Sequence, residues 1–288
     1  MRGDKAMKQM ILKTELLPDQ LALFYLGQEG FLVKAGGKYL LFDPYLTDYV
    51  DRNCCTEDVI WRRRYPAPVN PETLDFVDVV FCSHAHFDHT DPDTIRAICA
   101  GNRKARFIVP APVYEQFCGY GVPADRVLAA RPDTEIRLDG LTVLPVPAAH
   151  EELHLDAQGN SPELGYRVQL GDTVLYHGGD SCVYDGLAAR LKGTDIAMLP
   201  VNGRDFYKLR RDIVGNMNVT EAVELCREIG ADLFIPMHFD LYDVNSVPAG
   251  SIAQEVERQG SPVSYHIFRP GERFLFVKTR TAAGQDLD

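Results

Sequence analysis

The sequence predicts a mixed α/β sandwich, two β-sheets packed face to face with helices on the outer faces. Two observations carry this. Short runs of β-forming residues recur along the whole chain, and most of the later ones are separated by amphipathic stretches with helical spacing. A third supports one continuous unit: there is no internal repeat, low-complexity linker or block of like charge to mark a second domain. The expectation is a single domain over residues 1–288, with a core from about 20 to 278 and flexible terminal residues.

The first three runs, LALFYL (21–26), FLVKA (31–35) and YLLFD (39–43), read as hairpin neighbours, because GQEG and GGK supply turns between them. VDVVFC (77–82) follows as a buried strand. It leads to DTIRAICA, a helix whose first turn suits Pro92, since proline lacks the N–H that the first turn leaves unpaired. RFIVP (106–110), the helical PVYEQFCGY, LTVLPV (141–146), GYRVQL (165–170) and TVLYH (173–177) come next. The helical VYDGLAARLKG leads to DIAMLP (195–200). The next helix, from Val219 to Gly230, has Asn218 as N-cap and a glycine at its end, and DLFIP (232–236) follows at once. VPAGSIAQEVERQG reads as the last helix, before the strands YHIF (265–268) and RFLFV (273–277).

Composition narrows the function. The chain has 30 Lys and Arg against 41 Asp and Glu, a formal charge of -11, which argues against coating long nucleic acid or a polybasic membrane surface. No run approaches the roughly 20 apolar residues of a membrane span, and MRGDKAMKQM lacks the apolar core of a signal peptide, so the expected location is the cytoplasm. The 7 cysteines are odd in number and form no C-x-x-C pair, so neither a disulfide framework nor a zinc knuckle is expected. Cys82 and Cys226 read as small core hydrophobes. The adjacent Cys54 and Cys55 read as reduced thiols without an assigned role.

The chemistry is concentrated in FCSHAHFDHTDP, which holds His84, His86, Asp88 and His89. Imidazoles and a carboxylate where an apolar strand runs into a loop are ligands for a divalent metal. Side chains two apart on an extended segment share a side, so His84 and His86 are expected to reach one ion from the strand. Asp88 and His89 point elsewhere, toward a second ion or a water. Three later strands each end in a further ligand: LTVLPVPAAH in His150, TVLYHGGD in Asp180 and DLFIPMHFD in His238. Ligands from several strand ends converge on one sheet edge, and Gly178 and Gly179 permit the sharp turn that brings Asp180 close, to bind or bridge ions.

The order H-x-H-x-D-H, His, Asp, His, each after a strand, resembles the metallo-β-lactamase superfamily. The resemblance implies an αββα sandwich with its metal site on one edge: His84, His86 and His150 for one metal, Asp88, His89 and His238 for a second, and Asp180 between them. LGQEGF (26–31), DPYLTD (43–48), RRYPAPVNP (63–71), SHAHFDHTDPDT (83–94), PVNGRDFYKLRRDIVGNMN (200–218) and PMHFD (236–240) resemble its L-ascorbate-6-phosphate lactonase branch. That likeness implies a cytoplasmic enzyme that opens a phosphorylated sugar lactone with a divalent metal, often manganese.

The expected activity is therefore a hydrolase holding one or two manganese or zinc ions, with Asp88 orienting the water and passing on its proton. Asn202, Arg204, Tyr207, Lys208, Arg210 and Arg211 are the expected contacts to the substrate phosphate, because guanidinium forks match phosphate oxygens; a solvated basic face or an oligomer contact is the alternative. Arg62, Arg63 and Arg64 form a lesser basic cluster, and His154 is expected at the pocket rim. A phosphodiesterase or nuclease on the same scaffold is the rival enzyme, and a non-catalytic metal or ligand sensor the rival from another class. His150 to His154 also spells H-E-x-x-H, but Pro145 and Pro147 and the leading strand oppose the helix that zinc-protease chemistry needs. His177 reads as a support for a neighbouring ligand or a core histidine, His266 as structural, and Asp240 as a partner for a ligand imidazole or an exposed carboxylate.

Overall fold

The computed structural model describes residues 2–138, 140–260 and 263–278. The first sheet contains β1 (Gln20–Gly27), β2 (Gly30–Ala35), β3 (Lys38–Phe42), β4 (Val79–Phe81), β5 (Arg106–Pro110) and β6 (Val127–Ala130). After these come β7 (Ile136–Leu138), β8 (Leu141–Pro147), the short pair β9 (Ala149–His150) and β10 (Glu152–Leu153), then β11 (Leu164–Leu170), β12 (Thr173–His177), β13 (Ile196–Pro200), β14 (Leu233–Met237), β15 (Ser264–Tyr265) and β16 (Arg273–Val277). The first sheet runs β16-β1-β2-β3-β4-β5-β6 and the second β15-β14-β13-β12-β11-β8-β7. Both are antiparallel in one half and parallel in the other.

Alternation along each strand sorts the core into layers. Leu23, Tyr25, Phe31, Val33, Phe42 and Phe81 of the first sheet meet Val143, Tyr166, Val168, Leu175, Met198 and Ile235 of the second. Their neighbours face outward. Phe24, Leu32, Leu41, Val80 and Phe107 lie under Met7, Ile11, Ile95, Ile98 and Phe117 of the covering helices. On the far side Tyr176, Ala197, Leu199 and Phe234 lie under helices contributing Leu187, Leu191, Val223, Cys226, Ile252 and Val256. This is the αββα sandwich that the sequence predicts.

Several boundaries differ from the sequence reading. Residues 2–13, expected to lie outside the core, form a helix that buries Met7 and Ile11. At the other end, residues 279–288 are outside the described residues. The strand expected over 265–268 stops at Tyr265, while Val127–Ala130 and Ile136–Leu138 are edge strands that no clear alternation announces. The VYDGLAARLKG helix is a single short turn, Leu187–Leu191, entered from Gly186 in the left-handed region at φ 92°. Helices Pro92–Gly101 and Val219–Ile229 do start at Pro92 and after Asn218, the latter with a full capping box to Glu221. No helix among the described residues is long and apolar enough to cross a membrane.

Candidate metal centre

The ligand-bearing loops leave the ends of β4, β8, β12 and β14 and meet at one edge of the sandwich. β4 stops at Phe81, so His84 and His86 stand in the following loop rather than on the strand, correcting the alternation argument. They still face one point because the loop coils: the N–H groups of His89 and Thr90 both donate to the His86 carbonyl, at 3.0 and 2.8 Å. Thr90 Oγ1 donates to the His84 carbonyl.

One ligand atom each of His84, His86, His150 and Asp180 lie within 4.8 Å of one another, and so do those of Asp88, His89 and His238. Asp180 addresses both groups. Its Oδ2 lies 3.5 Å from His150 Nε2 and 3.9 Å from His84 Nε2, while Oδ1 lies 3.4 Å from His238 Nε2 and 3.5 Å from His89 Nε2. Buried His84, His89 and His150 each have an Nε2, and Asp180 an Oδ1, without any hydrogen-bond partner. Four unsatisfied polar atoms aimed at a common space are costly without a ligand. Neutral imidazole and carboxylate are donors that a divalent cation accepts, so the residues present fit a metal centre.

The surroundings fix which nitrogen faces that space. Asp43 accepts from the Ser83 N–H at 2.7 Å, the Ser83 hydroxyl at 2.5 Å and His89 Nδ1 at 2.8 Å. Because the Ser83 hydroxyl donates to Asp43, its oxygen accepts from His84 Nδ1 at 2.9 Å, leaving Nε2 of both histidines as lone-pair donors. His177 Nε2 donates to the Glu29 carbonyl at 2.9 Å, and its Nδ1 accepts the Gly179 N–H at 3.3 Å, so this buried histidine holds the turn that carries Asp180. In that turn only Gly179 is left-handed, at φ +58°; Gly178 packs against β13 with an ordinary backbone.

Electrostatics favours a cation here. Burial pushes the His150 imidazolium down to about 4, and burial with neighbouring histidines holds His84 well below the usual range, so both present lone pairs at neutral pH. Burial also works against charge on His89, yet the Asp180 and Asp88 carboxylates outweigh it and raise its pKa. Behind His89 sits Glu29, wholly buried, its carboxyl raised by burial and by Asp180.

Sequence reasoning missed Gln28, Glu29, Asp43 and Ser83. The backbone of Gln28, Asp43 and His238 is left-handed, at φ 59°, 37° and 58°, a conformation uncommon for such residues and concentrated at functional sites. The only trace in the sequence is the position of Gln28 and Asp43 at strand ends.

Over the metal-ligand groups opens a cleft of about 200 Å³, walled by Val50, Cys54, Trp61, Phe87, Ile213 and Val214. The NGRDFYKLRRD cations are dispersed. Arg204 is paired with Glu221 through two contacts of 2.8 and 2.6 Å, Lys208 Nζ is turned onto the carbonyls of Asn202 and Gly203, and Asn202 bonds Asn245 and Asn216. Arg210 stacks on Phe206, Arg211 reaches the Tyr207 carbonyl, and both arginines and Tyr207 are exposed near Asp212, which lines the cleft. His154 is exposed, 3.6 Å from Glu163. The H-E-x-x-H stretch is the β9–β10 hairpin, and Glu151 accepts the Gly215 N–H at 3.0 Å, so the helix needed for protease chemistry is absent there. Asp240 does neither thing expected of it: it accepts from the phenols of Tyr25 and Tyr65 at 2.8 and 2.7 Å. Cys54 lines the cleft and Cys55 is exposed, its thiol 3.3 Å from the Asp51 carbonyl. His266 bonds Glu272 at 2.8 Å.

Two mixed sheets between helices, with His and Asp gathered at the strand ends, make the metallo-β-lactamase fold. The chain belongs to the β-lactamase superfamily: the family described as beta-lactamase superfamily domain matches residues 38–239. An uncharacterized protein of Mycobacterium tuberculosis is 28% identical over 263 residues, covering 88% of this chain and 68% of that one. A metal-dependent hydrolase of Opitutus terrae is 29% identical over 257 residues, covering 88% and 98%. Among solved structures, the isothiocyanate hydrolase from Delia radicum gut bacteria superposes with a TM-score of 0.72 at 19% identity, over 89% of this chain and all of that one, a likeness of fold.

Proposed function

We propose that this chain is a metal-dependent hydrolase that opens a small lactone, of the sugar-acid type, with an activated water. The observation that carries the reading is Asp180, whose two carboxylate oxygens face two separate ligand groups. His84, His86, His150 and Asp180 would hold one divalent ion, zinc or manganese, and Asp88, His89 and His238 a second. Such an ion, when bound, lowers the pKa of a water and polarises the carbonyl of the ester. Relatives described as metal-dependent hydrolases support this class.

The chain's own groups do the rest. Asp88 borders the cleft and uses Oδ2 toward His238 and His89, at 3.5 and 3.7 Å. Its other oxygen is the group to orient the attacking water, take its proton and pass it to the leaving alkoxide. Trp61, Phe87, Ile213 and Val214 exclude bulk water and fit the carbon face of a ring. Arg210 and Arg211, exposed beside Asp212, would hold a substrate phosphate outside the cleft, and the exposed Tyr207 and His154 would be further contacts to it. Arg204, Lys208 and Asn202 serve the fold instead.

The test is metal analysis of the purified protein, followed by turnover of ascorbate 6-phosphate, unphosphorylated lactones and bis-p-nitrophenyl phosphate. Each is measured before chelation, after it, and after manganese or zinc is returned. Lactone turnover that disappears and returns with metal is expected. Turnover unaffected by complete metal removal refutes the reading, and preference for the diester assigns a phosphodiesterase. Arg211→Ala should raise KM for the phosphorylated lactone alone; equal effects on both lactones remove the phosphate contact.

A further inference from the structure

We propose that Gln28 is a ligand of the second cation, its side-chain carbonyl completing the group formed by Asp88, His89 and His238. The inference rests on reading that group as a cation site. Gln28 follows directly on β1 and is 2% exposed. Its backbone is held on both sides: its N–H faces the Tyr65 hydroxyl at 3.4 Å, and its carbonyl accepts from the His238 N–H at 2.9 Å and lies 3.2 Å from the Tyr25 hydroxyl, whose proton goes to Asp240. A left-handed glutamine, at φ 59°, is thus fixed with its side chain against the ligand group.

The end of that side chain lies where a ligand would. Its amide nitrogen, as assigned, is 2.8 Å from Asp88 Oδ2 and 3.2 Å from His238 Nε2. The accepted members of the group are no closer to each other: Asp88 Oδ2 is 3.5 Å from His238 Nε2 and 3.7 Å from His89 Nε2. Amide nitrogen and oxygen have the same shape and are told apart by their partners. An NH2 group repels a cation, whereas a carbonyl oxygen binds one. The terminal amide torsion is broad and two-fold, so a half-turn brings the oxygen inward without moving the backbone.

With Gln28 and the shared Asp180, the second group has three oxygens and two imidazoles, while the first has three imidazoles and one carboxylate oxygen. The second site is therefore the harder one, and it should favour manganese over zinc relative to the first. The rival role is an N–H donor that only steadies Asp88.

Gln28→Glu separates the two, because it keeps an oxygen and loses the donor. Gln28→Met keeps the length and supplies neither. Metal stoichiometry is read by elemental analysis after buffer exchange and manganese affinity by spin-resonance titration, with circular dichroism to check folding. The expected result is two equivalents in the wild type, the second held at least as tightly by Gln28→Glu, and weakened about tenfold or more in Gln28→Met with the first unchanged. The proposal falls if Gln28→Met holds both ions as the wild type does, or if Gln28→Glu loses the second, which assigns the donor role. Should Gln28→Met not fold, Gln28→Glu decides alone. A wild type that binds one equivalent overturns the second site itself, and this ligand with it.

Discussion

Gly179→Ala tests how the turn before Asp180 builds the candidate metal centre. The residue sits at φ +58°, where an L side chain costs roughly 1–2 kcal/mol. Its new Cβ would lie 2.7 Å from Ser83 Cβ, 3.0 Å from Ser83 Oγ and 3.1 Å from the Leu164 carbonyl, and neither neighbour is a flexible side-chain end. Overpacking of this kind costs about 1–3 kcal/mol, so the sum is roughly 2–5 kcal/mol. Ser83 also joins Asp43 to His84, and displacing it turns a ligand imidazole away. Gly178→Ala is the control: its φ is ordinary and its Cβ contacts are 3.3–3.4 Å, which ask the neighbours to give by only a few tenths of an ångström, so it should cost less than Gly179→Ala. Urea unfolding reads the stability and chelator competition reads the metal. A Gly179→Ala protein within about 0.5 kcal/mol of wild type, or a Gly178→Ala protein that suffers more, would refute the reasoning.

Asp43→Asn replaces an acceptor of His89 Nδ1–H by an amide that can present N–H there; metal affinity should fall about 10–100-fold, checked by competition titration, while the far-ultraviolet spectrum is retained. Metal at 100 times its dissociation constant should stabilise the protein by about 2.7 kcal/mol, visible as a higher melting temperature that chelation removes. Burial pushes the Glu221 carboxyl up, but the Arg204 pair and the Asn218 N–H outweigh it and leave its pKa lowered. Its stabilising contribution is therefore present above the usual glutamate range near 4.5 and fades as pH falls through the lowered value. Glu221→Gln should flatten the acid limb of a stability-against-pH curve; an unchanged limb would discard the pair as its source.

The sandwich was legible because strands buried on both faces, between the partner sheet and the covering helices, read as short continuous apolar runs, as in LALFYL or DIAMLP. The signal was weakest at the edges, where Ile136–Leu138 has little to bury and only Tyr265 of YHIF lies in a strand. The N-terminal helix escaped because two buried residues, Met7 and Ile11, leave a faint pattern. The basic cluster misled for a related reason: charge shows in a sequence, but the carboxylate that Arg204 meets is 17 residues away on another element.

By itself the sequence determined the types and order of the candidate ligands, because chemistry and strand-end placement are written locally in His84, His86, Asp88, His89, His150, Asp180 and His238. Only the tertiary structure decided how Asp180 divides its oxygens between two groups, and that Gln28, Glu29, Asp43 and His177 stand around them. Those contacts join segments far apart in the chain, with Gln28, Asp43 and His238 held in left-handed conformations, and neither composition nor periodicity records a distance between such segments.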